Sequence, residues 1–356
     1  MKRVLQFVFE NRGAAPDEDV TMDDVELMRR AMAQAATVRS TTAPNPWVGC
    51  VVAPPPGERV ADGVTVLFEG ATAPPGGPHA EVVALSAAGE TAQGASLYVT
   101  LEPCAHHGRT PPCTEAIVAA GVSRVVVAIE DPDPQVAGRG IAVLRQAGID
   151  VTLGVAAAEV TEQLAPYLKH RRTGQPWVVL KMAASLDART AAPDGTSRWI
   201  TGEAARRDVH LLRSRSDAVL VGAGTVRADD PELTVRLDDG AERPQPLRVV
   251  LGRAPAGARI LPALELSGDL GDVLGELGRR GVLQLLVEGG ATVAHDFHAA
   301  GLVDRYVLYL APIFFGGDDA RPLFAGPGAG TIGDVWRGRL VSVERLGEDL
   351  RVEVAA

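Results

Sequence analysis

A histidine, a nearby glutamate and two cysteines are the residues of this sequence best suited to chemistry: His79-Ala80-Glu81, then Pro103-Cys104, then Cys113. One imidazole and two thiolates give a tetrahedral zinc ion three ligands and leave its fourth position open for water, as in a catalytic site. The metal lowers the pKa of that water toward neutrality. A carboxylate two residues from the histidine, outside the coordination sphere, is then the natural proton shuttle, as in zinc nucleobase deaminases. His79, Cys104 and Cys113 are therefore the expected metal ligands and Glu81 the expected catalytic acid-base. The competing reading is a structural zinc or two reduced core cysteines, although structural sites normally close with a fourth Cys or His. His106 and His107 lie between the cysteines, but their polar HHGRTPP turn suits substrate contact better than metal closure.

Element ends must bring these groups together. Pro78 precedes the helical run EVVALSAAGE, with His79 and Glu81 expected in its first turn, and Cys104 follows the strand-like LYVTLEP. Cys113 opens a second helical run, CTEAIVAAGV, where the helix dipole and free amides favour thiolate. VELMRRAMAQAA has helical spacing, and WVGCVVA, TVLFEG, LYVTLE and RVVVAIE read as strands. The pattern predicts an α/β domain with a mixed sheet over 21–170, after a loosely held extension at 1–20. RRTGQP, at 171–176, reads as a linker. From 177 to 356, WVVLKMAAS, DAVLVGAG, LRVVLG, LQLLVEGG and RYVLYLAPIFF alternate with helices in a second α/β unit.

The 356 residues suit two domains. A net charge of −10 disfavours a general grip on nucleic acid, whose backbone demands a basic face, so the expected partner is a small molecule. Two of only three cysteines are assigned to metal, which leaves no disulfide framework and fits a reducing compartment. Cys50, in WVGCVV, reads as core. The start, MKRVLQFVFENRG, is too short in apolar residues for a signal peptide, and no 18-residue apolar span follows. These features predict a soluble cytoplasmic protein.

In the second half, two strands run into small-residue turns: Leu283 to Glu288 into Gly289-Gly290-Ala291-Thr292, and Val219 to Val221 into Gly222-Ala223-Gly224-Thr225. Such turns let phosphate oxygens approach free amides at a helix start. Neither is a GxGxxG fingerprint, which disfavours a Rossmann domain. Tight turns in an α/β sheet and nucleotide binding both fit.

The motifs NPWVGCVV (45–52), PHAEV (78–82), YVTLEPCAHHGRTPPC (98–113), DPDPQVAGRGI (131–141), LKMAASLDARTA (180–191), SRWIT (197–201), VLVGAGTVRADDPELTVR (219–236) and VEGGATV (287–293) resemble the bifunctional deaminase-reductases of riboflavin biosynthesis from about Asp23 onward. The eight residues between Cys104 and Cys113 are typical of this branch, whereas many cytidine and tRNA adenosine deaminases have two. The resemblance implies a cytidine-deaminase-like three-layer N-terminal domain that uses zinc to remove an exocyclic amine from a diamino-hydroxy-phosphoribosylamino-pyrimidine. It also implies a dihydrofolate-reductase-like C-terminal domain that uses NADPH to reduce the ribose to a ribityl chain, in a homo-oligomer. Asn45 would read the pyrimidine edge and Arg109 would hold phosphate. Lys181 or Glu288 would assist the proton steps. Asp187, Ser197, Arg213, Leu233, Arg236 and Glu288 fall on positions facing substrate or the catalytic region, with Arg213 and Arg236 suited to phosphate. Ala183, Trp199, Thr225, Asp229 and the turn Gly290, Ala291, Thr292, Val293, Ala294, His295, Asp296 match dinucleotide contacts.

Three features depart from the family pattern. Thr72 replaces a usual histidine, which raises a different pyrimidine as an alternative substrate. Gly252-Arg253 replaces an Asp followed by Ser or Thr, and Arg253 fits either an adenosine 2′-phosphate or an exposed loop. The stretch 252–272 reads as short of a strand-helix unit, so the alternative to a two-step enzyme is a deaminase whose reductase-like half only binds or scaffolds.

Overall fold

The apolar runs of the first half become strands β1 (Gly49–Ala53), β2 (Phe68–Ala71), β3 (Ser96–Leu101), β4 (Arg124–Ile129) and β5 (Asp150–Leu153) in a computed structural model that describes residues 23–55, 66–107, 111–134, 136–237, 240 and 243–356. They form one sheet in the order β2-β1-β3-β4-β5, antiparallel at β2-β1 and β1-β3 and parallel at β3-β4 and β4-β5. Every residue of β1 is buried, as are all but the first of β3, a pattern that requires cover on both faces. Six helices accompany the sheet: α1 (Asp24–Thr37), α2 (Ala80–Ala88), α3 (Cys113–Ala119), α4 (Arg139–Gln146), α5 (Ala157–Gln163) and α6 (Ala165–Thr173). This is the three-layer, cytidine-deaminase-like architecture. Helix α1 starts because the Asp23 carboxylate accepts the Glu26 amide at 2.7 Å, and it buries Leu27, Met28, Ala31 and Ala35. The Asp24 carboxylate then binds Arg124 at 2.7 and 2.8 Å and the Tyr98 hydroxyl at 2.8 Å, which ties α1 to β4 and β3.

The chain divides between Arg172 and Thr173 into two units, each with its own core. Helix α6 continues to Thr173, so half of the stretch read as a linker is helical. The extension read at 1–20 lies outside the described residues.

The second unit contains β6 (Trp177–Ser185), β7 (Arg189–Ala191), β8 (Ala218–Gly222), β9 (Leu247–Leu251), β10 (Leu264–Leu266), β11 (Gln284–Val287), β12 (Arg305–Ala311), β13 (Arg321–Pro322), β14 (Arg339–Leu346) and β15 (Asp349–Ala355). Its helices are α7 (Glu203–Ser214), α8 (Ala223–Asp229), α9 (Leu270–Arg279) and α10 (Ala291–Ala299). Eight strands form a sheet in the order β10-β9-β8-β11-β6-β12-β15-β14, parallel from β10 to β12 and antiparallel beyond. The period-two alternation sorts β6 onto two cores. Val178, Leu180 and Met182 pack with Val273, Leu274 and Leu277 of α9 and Phe297 of α10, whereas Val179 and Ala183 pack with Ala205 and Val209 of α7. Lys181 lies between Val179 and Ala183 in that alternation, so it shares the α7 face.

The stretch 252–272 is less depleted than its sequence suggests. Leu264–Leu266 pairs in parallel with β9, and α9 begins at Leu270. A strand of three residues with mixed burial carries too little periodicity to be read beforehand.

Candidate active sites

In the N-terminal unit the three expected ligands converge from three element ends. His79 is the residue capping α2 rather than lying within its first turn, Cys104 follows β3, and Cys113 opens α3. His79 Nδ1 lies 3.1 Å from Cys113 Sγ and 3.6 Å from Cys104 Sγ, and the two sulfurs are 3.5 Å apart. A tetrahedral zinc with Zn–S of about 2.3 Å and Zn–N of about 2.0–2.1 Å needs ligand separations of about 3.6–3.8 Å, so the cluster fits with only small adjustments. The Cys113 amide donates to Cys104 Sγ at 3.3 Å. Cys104 is held well below the ordinary thiol range, first by its contact with the Cys113 thiol and then, against burial, by His79 and that amide. Glu81 is buried at 3 % exposure, and burial pushes its carboxyl above the ordinary range, while its side chain interacts with Cys113. Among the described residues no fourth His, Cys, Asp or Glu joins the cluster. His107 is exposed and faces Glu115 at 3.9 Å, away from the role of a closing ligand.

Glu102 is a residue that sequence reasoning passed over, although it stands inside a quoted motif. Its buried carboxylate accepts the amides of Asp131 at 3.2 Å, Gly138 at 2.9 Å and Ile141 at 3.2 Å. At Gly140, a Cβ would lie 1.9 Å from the Pro103 carbonyl oxygen, so only glycine lets the start of α4 press against Pro103. The 131–141 segment thereby fixes the residue next to Cys104. Thr72 is also structural: it is 4 % exposed, and its hydroxyl accepts the Val48 amide at 3.1 Å. Asn45 lies in the turn between α1 and β1, its amide donating to the Thr42 carbonyl at 2.8 Å. Arg109 falls outside the described residues.

In the second unit Glu288 follows β11 and is the hub of a charged cluster. Arg213, on α7, donates to it through Nε at 2.5 Å and Nη2 at 2.9 Å, and Lys181 Nζ lies 3.8 Å away. Burial pushes the Glu288 carboxyl up, but Arg213 and Lys181 outweigh it, and the group is held below its ordinary range. Burial dominates at Lys181 and pushes its ammonium down, against the pull of Glu288. The cluster thus favours the anionic, accepting form of Glu288 and makes the Lys181 ammonium easier to deprotonate than an ordinary lysine. Arg213 also donates through Nη1 to the Thr234 carbonyl at 3.2 Å. Three of its five N–H donors are therefore committed within the protein, which leaves two to meet a substrate phosphate. Arg236 keeps an exposed guanidinium, 56 % accessible, beside Glu232 and Thr234. Leu233 is buried with φ of 53°, in the left-handed region.

The two small-residue turns meet. Thr225, in α8, accepts the Gly290 amide on its hydroxyl at 3.1 Å, and a Cβ on Gly222 would come within 2.8 Å of Val293. Gly290 caps α10, and 291–296 form its first turns rather than the turn read from sequence. Ala294 is fully buried in the core, so its side chain packs rather than faces solvent. Arg198 Nη2 donates to the Asp229 carbonyl at 2.7 Å and joins the 197–199 segment to α8. Trp199 is 70 % exposed, with the Arg206 guanidinium 4.7 Å from its ring centroid. Ser197 and Trp199 line an open cleft of about 150 Å³ with Ile313 and Phe315. Asp187 organises that rim, accepting the amides of Phe315 at 3.0 Å and Gly316 at 2.8 Å. Ala183 lies in β6 opposite Tyr309 of β12. Arg253 is 91 % exposed, 3.9 Å from Glu265, an exposed loop residue.

Residues 21–129 match the cytidine and deoxycytidylate deaminase zinc-binding region, and residues 176–352 match the RibD C-terminal domain. The chain is 42 % identical to the riboflavin biosynthesis protein RibD of Escherichia coli, over 92 % of this chain and 98 % of that one. It is 44 % identical to RibD of Mycobacterium tuberculosis, over 93 % and 97 %. Its fold is similar to a solved structure of Acinetobacter baumannii RibD, with TM-score 0.85 and 40 % identity over 93 % and 98 % of the chains. It is also similar to a Thermotoga maritima diaminohydroxyphosphoribosylaminopyrimidine deaminase/5-amino-6-(5-phosphoribosylamino)uracil reductase, with TM-score 0.83 and 33 % identity over 93 % and 98 %.

Proposed function

The chain belongs to the RibD family of riboflavin biosynthesis proteins, and from that membership we propose that each of its two sites performs one of two consecutive reactions on a phosphorylated pyrimidine. The first is zinc-dependent hydrolytic deamination of the diamino-hydroxy-phosphoribosylamino-pyrimidine; the second is NADPH-dependent reduction of its ribose to the ribityl chain. The observation that carries the reading is a three-ligand His/Cys cluster with a buried carboxylate in one unit, and a buried Lys181–Glu288–Arg213 cluster in the other.

In the deaminase unit His79, Cys104 and Cys113 would hold zinc, which when bound would make water nucleophilic at neutral pH. Glu81 takes a proton from the attacking water and delivers one to the departing nitrogen. Asn45 orients the pyrimidine and Arg109 meets the phosphate. The burial of Glu81 excludes bulk water from that exchange.

In the reductase unit NADPH, when bound, would supply the hydride for reduction of the sugar carbon attached to nitrogen. The start of α10, with Thr225, Asp229, Trp199 and Ala183, would hold the dinucleotide, since a helix start offers amide donors to phosphate oxygens. Lys181 supplies the accompanying proton, and Glu288 with Arg213 fixes its position. Ser197, Leu233 and Arg236 hold the substrate, with Arg236 on its phosphate. The strand and helix at 264–279 support a working second half over a purely scaffolding one.

Cytoplasmic residence fits the two zinc-ligating thiols, which oxidation would destroy, and among the described residues no helix is long and apolar enough to cross a membrane. Association with a second copy fits the exposed Leu340 and Val343 on the edge strand β14. The reading is tested with Lys181→Met in the full-length protein. NADPH oxidation should fall at least about a hundredfold, in the range of general-acid contributions, with ammonia release unchanged. Undiminished NADPH oxidation overturns the assignment of Lys181.

A further inference from the structure

The segment Thr234–Arg236 carries the exposed arginine and follows the strained Leu233, yet it belongs to no helix or strand. Side chains hold its backbone instead. The Thr234 carbonyl accepts from Arg213 Nη1 at 3.2 Å. Gln245 brackets Val235, accepting its amide at 2.7 Å and donating to its carbonyl at 3.2 Å. The Arg236 amide points at His210 Nδ1, 3.1 Å away. His210 lies on α7, one turn before Arg213, so a single helix face presents an acceptor and a donor to the same loop. A backbone held in the left-handed region by a bulky residue persists only where its surroundings over-determine it.

From this geometry we propose that His210 is a positioning residue of the reductase, whose neutral imidazole accepts the Arg236 amide and so aims Leu233 and Arg236 at the phosphorylated substrate. The inference rests on the reading of Arg236 as the phosphate ligand. His210 Nδ1 is also 3.1 Å from the Thr234 carbonyl, but that carbonyl already has Arg213 as donor, whereas Nδ1 is the acceptor placed at the Arg236 amide. The tautomer with its proton on Nε2 satisfies both groups. Burial and the adjacent guanidinium groups of Arg213 and Arg236 keep the imidazole below its ordinary range, in keeping with an acceptor role.

The test compares full-length wild type, His210→Leu, His210→Asn and Arg236→Ala in steady-state NADPH oxidation with the deaminated ribotide as substrate. The Asn amide oxygen falls near the place of Nδ1, so it restores the acceptor without the ring. His210→Leu should raise the KM for the ribotide about tenfold, as expected for loss of one hydrogen bond that orders a charged ligand. Its kcat, its KM for NADPH and its melting temperature should stay near wild type. His210→Asn should stay within about threefold of the wild-type KM. A wild-type KM in His210→Leu overturns the proposal while leaving Arg236 in place, provided that Arg236→Ala raises the same KM. An unchanged KM in Arg236→Ala overturns the phosphate reading itself, and the role of His210 falls with it. An Asn variant as impaired as Leu, with melting and NADPH binding both disturbed, assigns His210 to the fold and also overturns the proposal.

Discussion

Glu81 is the residue on which the hydrolytic half turns, because it is the carboxylate buried beside His79, Cys104 and Cys113 without being one of them. Glu81→Ala should keep its zinc, measured by metal analysis, while ammonia release falls by about a hundredfold to ten-thousandfold, the range of general acid-base contributions. Loss of metal together with activity would instead make Glu81 a ligand. The His79, Glu81, Cys104 and Cys113 set was legible because zinc chemistry constrains residue types as well as spacing. The pairing of Arg213 with Glu288 was not, since the partners are 75 residues apart and nothing local marks them as neighbours. That pairing bears on the chemistry, because Arg213 and Lys181 together hold the Glu288 carboxyl below its ordinary range.

Elements determine whether those residues meet. Glu102→Ala would leave the amides of Asp131, Gly138 and Ile141 without their acceptor, a loss of about 3 kcal/mol or more. Lower melting together with weaker zinc retention would confirm that the 131–141 segment seats Cys104; wild-type values for both would refute it. The Asp24–Arg124 bridge gives a pH signature. Arg124 holds the Asp24 carboxyl below its ordinary range, so the bridge stabilises the fold above about pH 4 and fades as pH falls through the lowered value. Asp24→Asn should therefore melt below wild type at pH 7, by no more than about 1 kcal/mol for a partly exposed pair, and the gap should close toward pH 2. A gap that widens in acid would contradict the sign. Strands such as β1, β4, β8 and β11 were legible as unbroken apolar runs. The hairpin β14–β15 was missed because its residues are mostly exposed or half-buried and charged, which leaves little hydrophobic pattern. The residues at 290–296 were read as a turn because Gly289-Gly290 dominates the local sequence, whereas Ala294 and Phe297 anchor a helix from the core side.

At the scale of the whole molecule, two folds lie in one chain, each with its own sheet, core and charged or metal-binding cluster. The acidic balance, with a net charge of −10, means that an anionic substrate would have to be met by local cationic groups rather than by a general field. Composition and length made the two-domain plan legible, but they said nothing of how His210 on α7 would face Arg236, 26 positions later. The central claim is that this chain performs both reactions in sequence. Its most direct test supplies the purified full-length protein with the diamino-pyrimidine ribotide and NADPH, and follows ammonia release and NADPH oxidation separately. Ammonia release that precedes an equimolar oxidation of NADPH is the predicted result. Ammonia without NADPH oxidation, or NADPH oxidation without ammonia, would contradict it.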